Sequence, residues 1–185
     1  MLARSYSWLP VLLLVIASLT GQTVPKPQAE HQQLAQSIGT WDAAIETVGT
    51  DGKLHHSKGV SVRKRGPGGF WVLEDFEGEM NDVHFTGHGA IGYDPQKKVY
   101  VQSWVSMSPM LMVLTGNFDQ AGKVLTMNGD GPSLGGAPLP MKNVTTWTSA
   151  DAMTLEVFIV LPGGQEVKTM TIHYTRRADD VGARK

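Results

Sequence analysis

The sequence predicts an all-β domain of about ten antiparallel strands, arranged as a two-layer sandwich or a closed up-and-down barrel. Three observations predict it. Beyond Gly39 the apolar residues recur with a period of two, and this holds almost to the end of the chain. The runs are strand-length and rich in Val, Thr, Ile and aromatics. Turn signals such as TDGK, RGPGG, YDPQKK, DQAGK and PGG separate them at close, even spacing, and no second helical stretch of any length intervenes.

The elements follow in order. MLARSYSWLPVLLLVIASLTGQ has one positive charge, Arg4, then an apolar run from Trp8 to Leu19, then small and polar residues. This is the layout of a secretory signal peptide, and its apolar run is shorter than the roughly 20 residues that span a bilayer. Residues 1–21 are assigned to it, with cleavage near Thr20 to Gln22. An exported chain, periplasmic or secreted, with no stable membrane span after cleavage is therefore expected. Residues 22–38 read as a Pro-containing linker and one short helix, with Leu34 and Ile38 at i and i+4 and Gly39 as the stop. Residues 39–177 form the β domain, whose runs are WDAAIETVG, SKGVSVRKR, GFWVLEDFEG, DVHFTGHGAIGY, KKVYVQSWVS, PMLMVLTGNF, GKVLTMNGD, NVTTWTSA, AMTLEVFIVLP and EVKTMTIHYTRR. Residues 178–185 are expected to be a disordered tail. Apolar residues on both faces of PMLMVL and LEVFIVL suit a barrel and a sandwich alike.

Composition narrows the function classes. The 185 residues carry 16 basic and 17 acidic side chains, mixed along the chain with no basic stripe, so a nucleic-acid partner is not expected. There is no cysteine, which removes thiol chemistry, Fe–S clusters and Cys-based zinc sites. A domain of about 164 residues can close its core by packing alone.

Gly39-Thr40-Trp41, after a short helix and at the head of the first strand, resembles the Gly-x-Trp start of lipocalin-like (calycin) barrels. That resemblance implies that Trp41 plugs the closed end beneath a basic residue of the last strand, Arg176 or Arg177, in a cation–π contact worth about 0.5–2 kcal/mol. The longer run GFWVLEDFEGEM…GHGAIGYDPQKKVYVQSW…GNFDQAGKVLTMNGDG…EVKTMTIHYTRR resembles the bacterial DUF1579 family in its Gly-x-x-Gly-Tyr-Asp, Lys-x-Tyr…Trp and Tyr-x-Arg segments. The likeness covers about Gly39 to Arg177 and implies a lipocalin-like barrel, with no established activity to carry over. One departure is Ser106, which stands where family members tend to have an Asp.

Within such a barrel the candidate lumen lining is Trp71, Glu74, His84, His88, Tyr100, Gln102, Trp104, Met110, Met112 and His173. Tyr100, Gln102 and Trp104 share one strand face, and a wall mixing aromatics with a few polar groups suits a small-molecule pocket. His84 and His88 would chelate a metal if HFTGH were helical, but Gly87, Gly89 and the Gly92-Tyr93-Asp94-Pro95 turn indicate a strand. Their Cα atoms then lie about 13 Å apart, too far for one ion. His173 is the residue that would serve as an axial haem ligand, by analogy with the haem-binding barrel nitrobindin. Met107, Met110 and Met112 in MSPMLM could hold Cu(I), although adaptable packing is the commoner use of clustered thioethers. No cofactor is expected otherwise. Asn143-Val144-Thr145 fits the N-glycosylation pattern, which matters only in a eukaryotic secretory route.

Two functions compete, with a haem or copper carrier as a third class. The first is non-catalytic binding of a small apolar or amphipathic molecule inside the barrel. The second is an enzyme in which Glu74 and His84 or His88 converge on the inner wall as acid and base. No Ser-His-Asp order, nucleophile elbow or phosphate loop is present.

Overall fold

The computed structural model describes residues 25–49, 51–80, 83–131 and 138–178. The expected signal segment, residues 1–21, lies outside the described residues, as does nearly all of the expected tail. A short helix, α1 (Ala29–Leu34), runs into a 3-10 turn (Ala35–Ser37). Ten strands follow: β1 (Gly39–Val48), β2 (Leu54–Arg65), β3 (Trp71–Met80), β4 (Val83–Asp94), β5 (Val99–Ser106), β6 (Met112–Phe118), β7 (Val124–Asp130), β8 (Pro140–Ser149), β9 (Ala152–Val160) and β10 (Glu166–Arg176). Each pairs antiparallel with the next, and β10 returns to β1 with a register from Trp41↔Arg176 to Thr47↔Met170. The sheet is a closed up-and-down barrel. Closure leaves no strand edge unpaired, which resolves the choice between barrel and sandwich.

Period-two patterning decides which side chains face in. Along β1, Trp41, Ala43 and Ile45 are buried while Asp42 and Ala44 are exposed. Register carries the inner face across the barrel: Trp41 lies opposite Ser61, Ser61 opposite Phe76, and Phe76 opposite Gly87. The buried core is therefore the inner layer, with Val72, Phe76, Tyr100, Leu114, Leu125, Met127, Met153 and Tyr174 among its members.

Asp residues set several of the hairpin turns. Asp94 accepts from the backbone N–H groups of Gln96 and Lys97, and Asp119 from those of Lys123 and Val124. These bonds hold both carboxyls below the usual aspartate range. The β4–β5 turn ends on Lys98 at φ 56°, a left-handed conformation that non-glycine residues seldom adopt.

The barrel is shut at the end where β1 begins. Trp41 is fully buried there, its Nε1 donating to the Ser37 carbonyl at 2.9 Å. The Arg176 guanidinium lies 3.9 Å above the Trp41 ring and donates to the carbonyls of Ile38, Gln36 and Ala150. Of the two candidate closing residues, Arg176 takes that place; Arg177 points outward and pairs with Asp42. Above this floor a chain of rings, Tyr93, Tyr100, Phe118 and Trp147, runs round the wall with centroids 5.1 to 5.4 Å apart. Helix α1 sits against it. Buried His31 meets Phe70 and Tyr93 edge-on, and the Tyr100 hydroxyl donates to Gln33 Oε1 at 3.0 Å and to the Glu30 carbonyl.

Candidate ligand site

Not all of the lumen is filled. A cavity of about 180 Å³ extends upward from Leu34 and Ser37 on the floor. Its wall is largely apolar: Ile45, Val72, Phe76, Phe85, Leu114, Leu155, Val157 and Ile172 contribute from most strands. Toward the far end Met80, Met112, Met141 and Met170 border it from β3, β6, β8 and β10, which are spaced round the barrel. Unbranched thioether side chains there can adapt their shape to what passes.

Trp104 explains the Gly-rich β4. Its indole lies flat over Gly87 and Gly89, where a Cβ would come within 2.2 Å of Trp104 Cζ2 and 2.9 Å of Cε3 respectively. Glycine at these two positions lets a large ring lie against the wall rather than across the lumen. The ring meets Phe76 at 6.5 Å, and Phe76 meets Phe85 at 6.1 Å, both edge-on.

The charged feature of the cavity is a compact cluster in its closed half. Arg63 on β2 and Glu74 on β3 are register partners, with side chains 11% and 13% exposed and Nη2 3.0 Å from Oε1. Ser61 donates to the same Oε1 at 2.6 Å and accepts from Arg63 Nε at 3.1 Å. Arg63 Nη1 reaches the Met153 sulfur at 3.4 Å, and the guanidinium stands 4.8 Å over the Tyr174 ring. Burial is the strongest influence and works against the Arg63 charge, but Glu74 and Tyr174 together outweigh it and hold the guanidinium pKa above its ordinary value. Burial, reinforced by the Glu74 charge, pushes the Tyr174 hydroxyl well above the tyrosine range. A buried ion pair joined to a hydroxyl and an aromatic face is well compensated.

Across the lumen, five strands from β3 in the closed order, β8 presents Asn143 and Thr145 to the cavity. Asn143 Oδ1 and Trp147 Nε1 are buried without a hydrogen-bond partner. Gln102 adds a further amide from β5. A largely greasy space with a few polar groups, some of them unsatisfied, can take up an apolar molecule and orient it.

The predicted lining is divided by this geometry. Glu74, Gln102, Trp104 and Met112 border the cavity. Tyr100 is on the inner face but is spent on seating α1. Met110 precedes β6 and does not border the cavity. Trp71, His84, His88 and His173 face outward, contrary to the expectation that they line the lumen. Trp71 lies over Gly92 on the outer surface, His88 pairs with Asp75 at 2.7 Å, His84 stands 4.0 Å from Glu77, and His173 meets Thr154. The reason is parity: the inner positions of β4 are Phe85, Gly87, Gly89 and Ile91, so the even-numbered histidines must point out. Glu74 thus has the sheet between it and both histidines, and the acid–base pairing expected between them does not form. Among the described residues no histidine borders the cavity, so His173 offers no inner-wall ligand to a haem. Three lumen residues, Arg63, Tyr174 and Asn143, carry no signal of their place in the sequence. Arg63 sits in SVRKR, which reads as an outward charge run, and Asn143 in a glycosylation pattern although it faces the lumen.

The family model described as "Protein of unknown function (DUF1579)" matches residues 26–176. The chain belongs to that family. A search among curated proteins finds no match for the chain. Two of the solved structures that share the barrel show the likeness. One is an S-type phycobiliprotein lyase, CPES, from Guillardia theta, 10% identical with a TM-score of 0.55, covering 82% of this chain and 98% of that one. The other is Rv2717c from M. tuberculosis, 9% identical with a TM-score of 0.61, covering 81% and 98%. At these identities the likeness shows the fold, and the site must be argued from this family member's own side chains.

Proposed function

We propose that this DUF1579 barrel binds a small, mainly apolar molecule in its lumen without carrying out chemistry on it. The observation that carries this reading is the cavity itself, an apolar space floored by Leu34 and Ser37 and kept open by Trp104 lying on Gly87 and Gly89. A core with no other task would be filled, since interiors are close-packed and voids cost stability. Among the described residues no helix is long and apolar enough to cross a membrane. The Arg4-led apolar run at the N-terminus supports export to the periplasm or beyond, and the site of action is placed there.

The test is native mass spectrometry on protein purified gently from its own host, from both the envelope and cytoplasmic fractions. A constant added mass, lost on organic extraction, is the expected result. Repeated recovery of empty protein that also takes up no apolar fluorophore refutes the reading, and recovery of uncleaved chain from the cytoplasm alone refutes the export step.

A further inference from the structure

We infer that the lumen selects neutral molecules bearing a hydroxyl or N–H donor, and that Glu74 sets this choice by cancelling Arg63. This rests on the lumen-binding reading and deepens it. A lone arginine inside a greasy barrel would invite a carboxylate, because a buried cation needs a counter-charge. Here that place is taken. Each of the three guanidinium nitrogens already has a partner, Ser61 Oγ for Nε, Met153 Sδ for Nη1 and Glu74 Oε1 for Nη2, and Tyr174 covers its face. The cluster is neutral as a whole.

An incoming carboxylate would therefore have to sit beside the Glu74 carboxylate in a water-poor space, where like charges repel strongly. An ammonium fares little better. The negative charge it would seek is already balanced, so a net positive charge would be buried. Glu74 itself still offers an acceptor: its Oε1 takes both the Ser61 and Arg63 bonds, while Oε2 takes none from the described residues. On the opposite wall Asn143 Oδ1 is a second buried acceptor without a partner. Turned over, the Asn143 amide would offer N–H groups instead, so Asn143 adapts and Glu74 discriminates. A neutral molecule with an apolar body and a donor at one end satisfies Glu74 Oε2 without adding charge.

The experiment uses N-phenyl-1-naphthylamine, a neutral fluorophore with an N–H, displaced at pH 8 by three probes of equal chain length: 1-decanol, decanoate and decylammonium. In the unaltered protein decanol is expected to displace the fluorophore at a concentration about tenfold or more below that needed for either ion. Glu74→Gln, which leaves the Arg63 charge unbalanced and weakens the acceptor, is expected to improve decanoate while weakening decanol, raising the decanoate-to-decanol affinity ratio by about tenfold or more. Arg63→Gln gives the mirror result, a gain for decylammonium. Equal displacement by decanol and decanoate in the unaltered protein overturns the inference while sparing the binding reading. The inference falls in the same way if folded Glu74→Gln, checked by circular dichroism, leaves the decanoate-to-decanol ratio unchanged. Failure to take up the fluorophore at all overturns both. If neither variant folds, the ratio in the unaltered protein still decides.

Discussion

At the end of the barrel where Gly39 enters and Arg176 leaves, wide side chains are locked to one another. Trp41 is covered by Arg176 and tied to Ser37, Tyr100 is tied to α1, and His31 wedges between Phe70 and Tyr93. At the opposite end the described residues include several exposed apolar side chains. Met107 and Leu111, between β5 and β6, are each 62% exposed, and Val83, Leu54 and Val48 are at least half exposed nearby. The chain there carries no charged residue from Val99 to Phe118, whereas the turns of the shut end are built on Asp94 and Asp119. The difference teaches that interlocked side chains and exposed apolar ones are segregated to different ends. The fold is held from the end where Trp41 and Arg176 lock together.

The sharpest way to break that comparison is Trp41→Ala. Loss of a fully buried tryptophan from the floor should cost about 3–5 kcal/mol, read as a lower urea midpoint with the slope unchanged. A cost no greater than that of a change at the open turns would show that the floor does not hold the barrel.

Next comes Gly87→Ala, in the wall between the two ends. The added methyl meets the Trp104 ring at 2.2 Å and should drive the indole into the lumen. Overpacking should cost about 1–3 kcal/mol. Fluorophore uptake should fall by more than it does for Gly163→Ala, at an open turn where a Cβ meets nothing within 4 Å. Retention of full uptake would mean that Trp104 does not define the space.

The third concerns pH and only the shut end. Burial, reinforced by Glu30, pushes the Tyr100 hydroxyl from 10.0 up to about 12. Its folded pKa is raised, so its contribution is complete below pH 10 and is lost as pH climbs through about 12. The ionised oxygen can no longer donate to Gln33 Oε1 and the Glu30 carbonyl. Amide exchange in α1 should therefore accelerate over that window beyond the ordinary base-catalysed rise, and Tyr100→Phe should abolish the excess.

The smallest effect is expected from Met107→Ser and Leu111→Ser, at about 0.5 kcal/mol or less in either direction, measured by the same urea titration. A large loss there would mean that the open end also carries the fold.

The strand count and the turns could be read from letters alone, because each has a local signature: period two, and Asp and Gly at the corners. The Trp41 floor is implied only by the resemblance of Gly39-Thr40-Trp41 to lipocalin-like barrels, which leaves Arg176 and Arg177 as alternatives. The lumen could not be read in either way. In β3, alternation forbids Trp71 and Glu74 from facing the same way, yet the letters around them do not say which is inside. In β4 the inner positions are emptied to glycine because Trp104 on the neighbouring strand occupies their space. The inner face therefore looks vacant in the sequence, and the outer histidines look like the chemistry. Arg63 is hidden for the converse reason: a charge inside reads as a charge outside until its partner on β3 is known. Pairing between strands carries this information, and a sequence shows it only through the sheet it makes.

The bed of glycines beneath Trp104 has one practical outcome. An indole held flat at the border of the void is a built-in lamp for the barrel's contents: when a guest replaces whatever solvent is beside the ring, its emission should move to shorter wavelength. Trp41, sealed beneath Arg176, would not respond to the same event. Occupancy of the lumen would thus be read from the molecule itself, with no label attached.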